Sequence, residues 1–142
     1  MTIAHILAGR DHEVVTADGA ERVGEVVARL TEKRIGAVPV VEGSSVVGIF
    51  SERDVIHCID QNGADALQMR VRDVMTSPVI TISANTAALT ALSLMSRRRI
   101  RHLPVVDDDR LIGFISIGDL LKYRIEKIEA EAEAMRDYIA GS

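Results

Sequence analysis

Aromatic residues are scarce in this sequence, which has two Phe, two Tyr and no Trp. Proteins that bind single-stranded nucleic acid usually stack the bases on aromatic side chains. The formal net charge is also −4, whereas a domain that follows a phosphate backbone is expected to be basic. We therefore expect no nucleic-acid partner, and a core built from Val, Ile, Leu, Met and Ala.

Cysteine is nearly absent too. With Cys58 as its only cysteine, the chain cannot form an intramolecular disulfide or a cysteine-rich zinc site, and this favours a reducing compartment. The histidines do not have the spacing of metal ligands, so we expect no metal site. They are His5, His12, His57 and His102.

The sequence also lacks long apolar runs. None is long enough to cross a bilayer, and the N-terminus lacks the basic, apolar and small-residue order of a secretory signal. We therefore expect a cytoplasmic protein with no membrane partner. The length of 142 residues, with 47% hydrophobic and 27% charged residues, fits one globular domain or two very small halves.

The chain contains an internal repeat with a period of 65 residues. Residues 34–41 align with 99–106, and residues 48–54 align with 113–119, without a gap. Two copies of one supersecondary unit usually cannot bury their apolar faces separately. We therefore expect the copies to pack into one body, with the functional clefts where they meet.

Each copy is predicted to begin with a strand and a helix. The strands are predicted at 14–16 and 79–82, and the helices start at a capping box of Asp18 and Glu21 in the first copy and at Ser83 in the second. Each helix has an apolar stripe with the i, i+3, i+4, i+7 spacing of a half-buried helix. The stripes consist of Val23, Val26, Val27 and Leu30, and of Ala88, Ala91, Leu92 and Met95.

Each copy then continues with a hairpin and a second helix. Strands 37–41 and 46–50 form the first hairpin, and strands 103–106 and 111–115 form the second, each with a tight polar loop. The helix starts at the serine that follows each hairpin. The sequence therefore predicts an α/β (α+β) fold in which two β-α-β-β-α repeats pack pseudo-symmetrically.

The connection between the copies is predicted at 60–65, which contains Asn-Gly. Short lead-in segments at 3–7 and 71–75 resemble each other, although the register slips there by three residues. We expect a first repeat, a second repeat and a C-terminal helix, at 1–62, 63–123 and 124–142.

Beyond Asp119 the sequence predicts a helix almost to its end. The apolar residues alternate spacings of four and three, which is the heptad seam of a helix that packs along another. They are Leu121, Ile125, Ile128, Ala132, Met135 and Ile139. This helix either folds back on its own module or pairs with the same helix of a second subunit. We favour the second arrangement, which predicts a homodimer.

The pattern Gly-x-x-Ser-x-x-Asp follows both hairpins, at 48–54 and 113–119. One interpretation is structural, because a Ser with an acid three residues later forms a capping box. The other is a ligand site, because a helix N-terminus offers N–H groups and a hydroxyl to a phosphate, and a carboxylate can accept hydrogen bonds from ribose. In a ligand site the glycine would leave room for the ligand. The repetition favours the ligand site.

The repeated hairpins and motifs resemble a tandem pair of CBS domains, the Bateman module, over roughly residues 2–123. The resemblance implies a regulatory module that binds AMP, ATP, NAD(H) or another adenosyl compound in clefts between the copies. It implies that Asp54 and Asp119 hold ribose hydroxyls. It also implies that Ser51 and Ser116 contact phosphate or ribose.

The same resemblance assigns further residues to the ligand. Thr16 and Thr81 would line the base, and the adenine would lie against the starts of the hairpins, at Ala37, Val38, Pro39, Leu103 and Pro104. Arg53 could reach a phosphate, whereas the second copy has Gly118 at that position. The two sites are therefore expected to differ.

The densest basic cluster consists of Arg97–Arg99 and Arg101. Its structural explanation is that the macrodipole favours cations near a helix C-terminus, typically by about 0.3–1 kcal/mol. Its functional explanation is that Arg101 or His102, at the start of the second hairpin, neutralises the phosphates of a nucleotide. Both explanations stay open for Arg101.

Three functions compete for this sequence. The leading one is a nucleotide sensor that regulates an unidentified partner, and the alternative is a structural dimerisation module. The third is an enzyme, which the sequence supports least because it has no Walker loop and no Ser-His-acid arrangement with an oxyanion motif. Ser51 with Glu52 as its base is also not repeated, since the second copy has Ile117 there. We therefore expect no catalytic residue and no catalytic cofactor.

Overall fold

The computed structural model describes residues 1–9 and 13–141, so that His12 lies outside the described residues. The described elements are α1 Ile3–Ala8, β1 Ala17–Asp18, α2 Val23–Lys33, β2 Ala37–Glu42, β3 Ser45–Ser51, α3 Glu52–Asn62, a 3-10 helix Gly63–Gln68, α4 Val71–Val74, α5 Ala88–Arg98, β4 His102–Asp107, β5 Arg110–Ser116 and α6 Ile117–Gly141. The predicted α+β fold class, with two pseudo-symmetric repeats and a long C-terminal helix, is confirmed.

Both predicted hairpins are confirmed. Strand β2 pairs antiparallel with β3, and β4 pairs antiparallel with β5. The first turn has Gly43 at a φ of 65°, and the second has Asp108 and Asp109 at 49° and 62°. Tight hairpin turns require such positive φ values because their twist must match that of the strands. Each hairpin also has a register shift at the equivalent place, after Val40 and after Val105.

The first strand is displaced in one repeat and reduced to a single bridge in the other. Residues 14–16 form no strand, and β1 consists of the next two residues, which pair in parallel with β2 through Ala17 and Val40. In the second repeat the segment 79–82 contributes one isolated bridge, from Ile82 to Val105. The β-branched residues indicated strands, but a ladder forms only where the chain runs alongside β2 or β4.

The starts of the first helices were also predicted too early. Helix α2 begins at Val23 after Arg22, and α5 begins at Ala88 after Ala87. The side chain of Glu21 does accept a hydrogen bond from the Asp18 N–H at 2.9 Å, but this bond closes a turn ahead of the helix. The two apolar stripes are confirmed, because every stripe residue is buried or half-buried.

The two hydrophobic cores exchange their lead-in segments. Ala66 and Val71, near the start of the second repeat, are buried in the core of the first. Ile3, near the start of the first repeat, is fully buried in the core of the second. The backbone repeats this exchange, since the N–H of Ile3 donates to Thr86 and the N–H of Val71 donates to Glu21, both at 2.9 Å. The boundaries at 62 and 123 stay predictions.

The glycines that open the Gly-x-x-Ser-x-x-Asp motifs serve this exchange. A Cβ on Gly48 would lie 2.6 Å from the Met75 sulfur, and a Cβ on Gly113 would lie 2.6 Å from a methyl of Leu7. We expected these glycines to leave room for a ligand, and this expectation is wrong. They leave room for the side chain of the other repeat's lead-in segment.

The predicted C-terminal helix is confirmed as α6. Its first turn is anchored by Leu120, which is buried in the second core. The heptad residues from Leu121 onward are exposed, so the helix does not fold back over them. In the described part of the chain, no helix combines the length and the apolar character needed to cross a membrane.

Candidate functional site

The serine and aspartate of each repeated motif cap a helix. In α3 the Ser51 N–H donates to Asp54 Oδ2 at 2.9 Å, and the Asp54 N–H donates to Ser51 Oγ at 3.4 Å. At the start of α6 the corresponding distances between Ser116 and Asp119 are 2.8 and 3.1 Å. The structural interpretation of the motif therefore holds in both repeats, and its ligand role stays a prediction.

Asp54 has a further partner from outside its own helix. The Thr76 hydroxyl donates to Asp54 Oδ1 at 2.8 Å, and the Ser51 hydroxyl donates to Oδ2 at 3.1 Å. A carboxylate offers about four acceptor positions. With three of them used by Ser51 and Thr76, a ribose hydroxyl could take the remaining position or replace the threonine hydroxyl.

A cleft of about 550 Å³ opens between the two repeats beside Asp54. We call it the inter-repeat cleft. It brings together five of the predicted ligand residues, with Ser51, Arg53 and Asp54 on one side and Arg101 and His102 on the other. This volume lies within the range of small-molecule sites, which is roughly 300–1,000 Å³.

The helix ends explain why these residues converge. The N-terminus of α3 directs Ser51, Arg53 and Asp54 into the cleft, since Ser51 is its N-cap. From the second repeat, α5 ends at Arg99 in the left-handed conformation, with a φ of 55°. This turn sends the chain directly into β4, so that Arg99 and Arg101 lie at the cleft.

Both signs of charge line the inter-repeat cleft. Arg53, Arg99 and Arg101 are the cationic residues, and Glu52 and Asp54 are the acidic ones. The three arginines can each donate several hydrogen bonds to a phosphate. Glu52 opposes them, and its place in the second repeat is taken by Ile117.

His102 is not suited to act as a cation here. Burial lowers the pKa of its imidazole, although the Asp119 carboxylate opposes this effect. The ring stacks on Phe114 with the ring centres 5.3 Å apart and the planes 11° from parallel. At neutral pH the imidazole is therefore neutral. Of the two residues predicted to neutralise phosphates, Arg101 is the one that carries a positive charge, and its contact with a phosphate stays a prediction.

The other nine predicted residues do not line the inter-repeat cleft. Val38 and Leu103 are fully buried in the two cores, and Ala37, Pro39 and Pro104 are buried beside them. Thr16 is half-buried, and its carbonyl accepts a hydrogen bond from Arg29 at 3.0 Å, whereas Thr81 is exposed. Ser116 and Asp119 are half-buried at the start of α6. A ligand contact for these nine stays a prediction.

Several residues of the cleft were not predicted as ligand residues: Gly36, Ile49, Glu52, Ile56, Thr76, Arg99 and Ile100. The most informative is Thr76, whose backbone pairs with Ile49 at 2.8 and 3.0 Å. It follows the lead-in segment, where the register of the repeat slips, so alignment of the copies gave no signal for it. Arg99 belonged to the basic cluster and could have been chosen with Arg101.

Comparison with known proteins agrees with this architecture. The CBS domain family matches the chain twice, at residues 9–61 and 71–126. The mitochondrial CBS domain-containing protein CBSX3 of Arabidopsis thaliana is 34% identical over 126 residues, which are 85% of this chain and 61% of that protein. The chain thus spans less than two thirds of this relative.

Solved structures of CBS proteins superpose on the chain. The CBS-domain containing protein ATU1752 from Agrobacterium tumefaciens has a TM-score of 0.82 and 35% identity, covering 87% of this chain and 99% of its own. The CBS domain pair of protein MJ0100, solved with methylthioadenosine and S-adenosyl-L-methionine, has a TM-score of 0.79 and 25% identity, covering 89% and 98%. By its two matched domains and their arrangement, the chain belongs to the CBS domain family as a tandem pair.

Proposed function

We propose that this CBS pair is a regulatory module that binds an adenosyl compound in the inter-repeat cleft. The observation that carries the proposal is the meeting of Asp54 from one repeat with Arg101 from the other across one open cleft. A ligand that contacts both repeats binds their arrangement, so its binding energy can shift shape or association. The structure of MJ0100 with two adenosyl compounds supports this ligand class.

The charges of the cleft favour a ligand with phosphates. Three arginines outnumber the two acidic residues, Glu52 and Asp54. Charge-assisted hydrogen bonds from guanidinium groups to phosphate are roughly twice as strong as neutral ones. We therefore place AMP, ATP and NAD(H) ahead of uncharged adenosine, with Arg53 as the cation that the second repeat lacks.

We also propose that the module signals rather than catalyses. The Ser51 hydroxyl accepts the Asp54 N–H and donates to the Asp54 carboxylate. This reciprocal pair is the capping box of α3, so the two side chains already have a structural role. The regulated protein is unidentified, and the cytoplasm is the proposed compartment.

Calorimetric titration with AMP, ATP, NADH, S-adenosylmethionine and adenosine tests the ligand class. We expect at least one phosphorylated compound to bind the wild-type protein more tightly than adenosine does. Asp54→Asn keeps an oxygen that can accept the cap hydrogen bond but removes the charge. It should weaken binding about tenfold or more, because hydrogen bonds to charged groups contribute about 1.5–3 kcal/mol.

Asp119→Asn is the matched control, since it makes the same change at the other capping box. Its carboxylate does not line the inter-repeat cleft, so ligand binding there should be nearly unchanged. Failure of every adenosyl compound to bind would refute the ligand class. Equal loss in the two variants would refute the assignment to this cleft.

A second candidate function is dimerisation. The exposed apolar seam of α6 favours it, because contiguous exposed apolar residues usually mark an interaction surface. In this role the module would assemble two copies and the cleft would need no occupant. Light scattering on the purified protein gives the mass directly, and a monomer would exclude this candidate.

A further inference from the structure

The apolar seam of α6 lies apart from the face that packs on the body. Leu120 and Tyr123 contact the second core, and successive residues of a helix are about 100° apart. The seam is therefore turned by roughly a third of a circle from the packed face. Its large members are 46–65% exposed: Leu121, Ile125, Ile128, Met135 and Ile139.

We propose that this seam pairs α6 with α6 of a second copy of the chain, in parallel and in register. The pairing develops the dimerisation candidate and needs no ligand in the inter-repeat cleft. In heptad positions, Leu121, Ile128 and Met135 would be d residues, and Ile125, Ala132 and Ile139 would be a residues. Each would meet its own copy across a two-fold axis along the helices.

The charges beside the seam favour the parallel direction. In a parallel pair, each g residue faces the e residue five positions later on the other helix. Arg124 would then face Glu129 of the second copy, and Glu131 would face Arg136 of the second copy. Both contacts join opposite charges, and the two-fold axis makes each of them twice.

The antiparallel direction brings like charges together. When two seams overlap fully in that direction, e faces e and g faces g. Glu129 then meets Glu129, Glu131 meets Glu131, and Lys122 meets Arg136. A shorter antiparallel overlap avoids these contacts, but it leaves one end of the seam uncovered, either Met135 and Ile139 or Leu121 and Ile125. The parallel alignment both covers the seam and pairs opposite charges.

Disulfide trapping tests the direction and the register. In the parallel pair, Ile128→Cys places two thiols at one d layer, within the Cβ separation of a disulfide, about 3.5–4.5 Å. Mild oxidation should therefore give a covalent dimer. Glu126→Cys, on the same turn but away from the seam, is the matched control, and wild type controls for the buried Cys58. Absence of the Ile128→Cys dimer, or equal trapping in Glu126→Cys, would overturn the proposal.

Charge exchange tests the pairing without a new cysteine. Glu131→Arg or Arg136→Glu alone places like charges at two contacts and should raise the dimer dissociation constant by about threefold or more. The double variant restores opposite charges and should recover the wild-type constant. If both single variants weaken the dimer but the double variant does not recover the wild-type dissociation constant, the g-to-e contact is contradicted.

Light scattering on full-length variants separates this proposal from its alternatives. Ile128→Glu, at an exposed site, should convert the dimer to a monomer, whereas Ile112→Glu, at an exposed site on β5 outside the inter-repeat cleft, should not. If Ile128→Glu is still a dimer, the pairing of α6 is overturned, but dimerisation through another surface is not. A wild-type monomer would overturn both, and neither result would affect the calorimetric test of the inter-repeat cleft.

Discussion

The two repeats build the same turn before their first helix with different chemistry. In the first repeat, Glu21 makes a two-pronged ion pair with Arg29 at 2.9 and 2.6 Å and also accepts the Asp18 N–H. In the second, the Ser83 N–H donates to the Thr86 hydroxyl at 3.3 Å, and Leu94 stands where the first has arginine. The fold of the repeat therefore does not depend on this ionic network.

The repeats also contribute different parts to the inter-repeat cleft. The first supplies the capped helix start with Ser51, Arg53 and Asp54, and the second supplies Arg101 and His102 from the start of β4. The equivalents of Arg101 and His102 in the first repeat are glycine and alanine. The two repeats thus share a backbone fold, and the residues that differ between them make the two sides of the cleft chemically different.

The largest expected difference between the repeats concerns the two motif glycines. Gly48→Ala would place its Cβ 2.9 Å from the Thr76 carbonyl oxygen and 2.6 Å from the Met75 sulfur. Gly113→Ala would meet only the end of the Leu7 side chain, which can rotate. We expect Gly48→Ala to lower the free energy of unfolding by about 1–3 kcal/mol and Gly113→Ala by less. Urea denaturation measures both. The opposite order would contradict the argument that a fixed backbone neighbour costs more than a side chain that can rotate, and no loss in either variant would contradict the exchange of lead-in segments.

A smaller difference is expected at the turn before the first helix. Glu21→Gln removes the charge that Arg29 binds, and it should cost about 1–2 kcal/mol of unfolding free energy. Thr86→Val, the equivalent change in the second repeat, removes one neutral acceptor and should cost less. Equal losses in urea denaturation would mean that the ionic network adds nothing to the turn.

The same ion pair predicts an acid dependence. The hydrogen bond from Arg29 holds the pKa of Glu21 below its ordinary value of 4.5. Its stabilisation is therefore complete above pH 4.5 and is lost as the pH falls through the lower pKa of the folded protein. The Tm difference between wild type and Glu21→Gln should shrink between pH 6 and acidic pH, and a constant difference would argue against the ion pair.

The smallest expected effect comes from His102, whose equivalent in the first repeat is Ala37. Burial lowers the pKa of His102, with Asp119 acting against it and Arg101 with it. The unfolded chain therefore binds a proton more readily, so stability falls as the pH drops below the ordinary value of 6.5. His102→Gln should show a smaller Tm decrease between pH 7.5 and 5.5. If His102→Gln loses as much Tm as the wild type over this pH range, the acid-induced loss comes from other titratable groups.

The parts of the fold that could be read from the sequence are those with strong local patterns. The hairpins follow from polar loops between β-branched runs, and the apolar stripes locate α2 and α5 because periodicity reports burial directly. The first strands could not be placed, since pairing at Ala17 and Ile82 depends on where the chain meets the neighbouring strand. The helix starts were misplaced because the Asp18 and Ser83 turns resemble caps.

The candidate site was predictable where a repeated motif or a cluster of charge marks it. The alignment identified Ser51 and Asp54, and the basic cluster identified Arg101, all of which line the inter-repeat cleft. Thr76 escaped because it lies beyond a slip in register. The exchange of lead-in segments also escaped, because sequence periodicity shows that a segment is buried but not which core buries it.

The central claim is that an adenosyl compound binds between the repeats, and an amide NMR titration with AMP tests it most directly. Saturable shifts should concentrate at residues that line the inter-repeat cleft, such as Gly36, Asp54 and Arg101. They should spare Gly43 and Gly63, where an added Cβ would meet nothing within 4 Å. Shifts confined to the outer surface of the module would contradict the account. So would an AMP titration that gives no shifts, if calorimetry also finds no other adenosyl compound that binds.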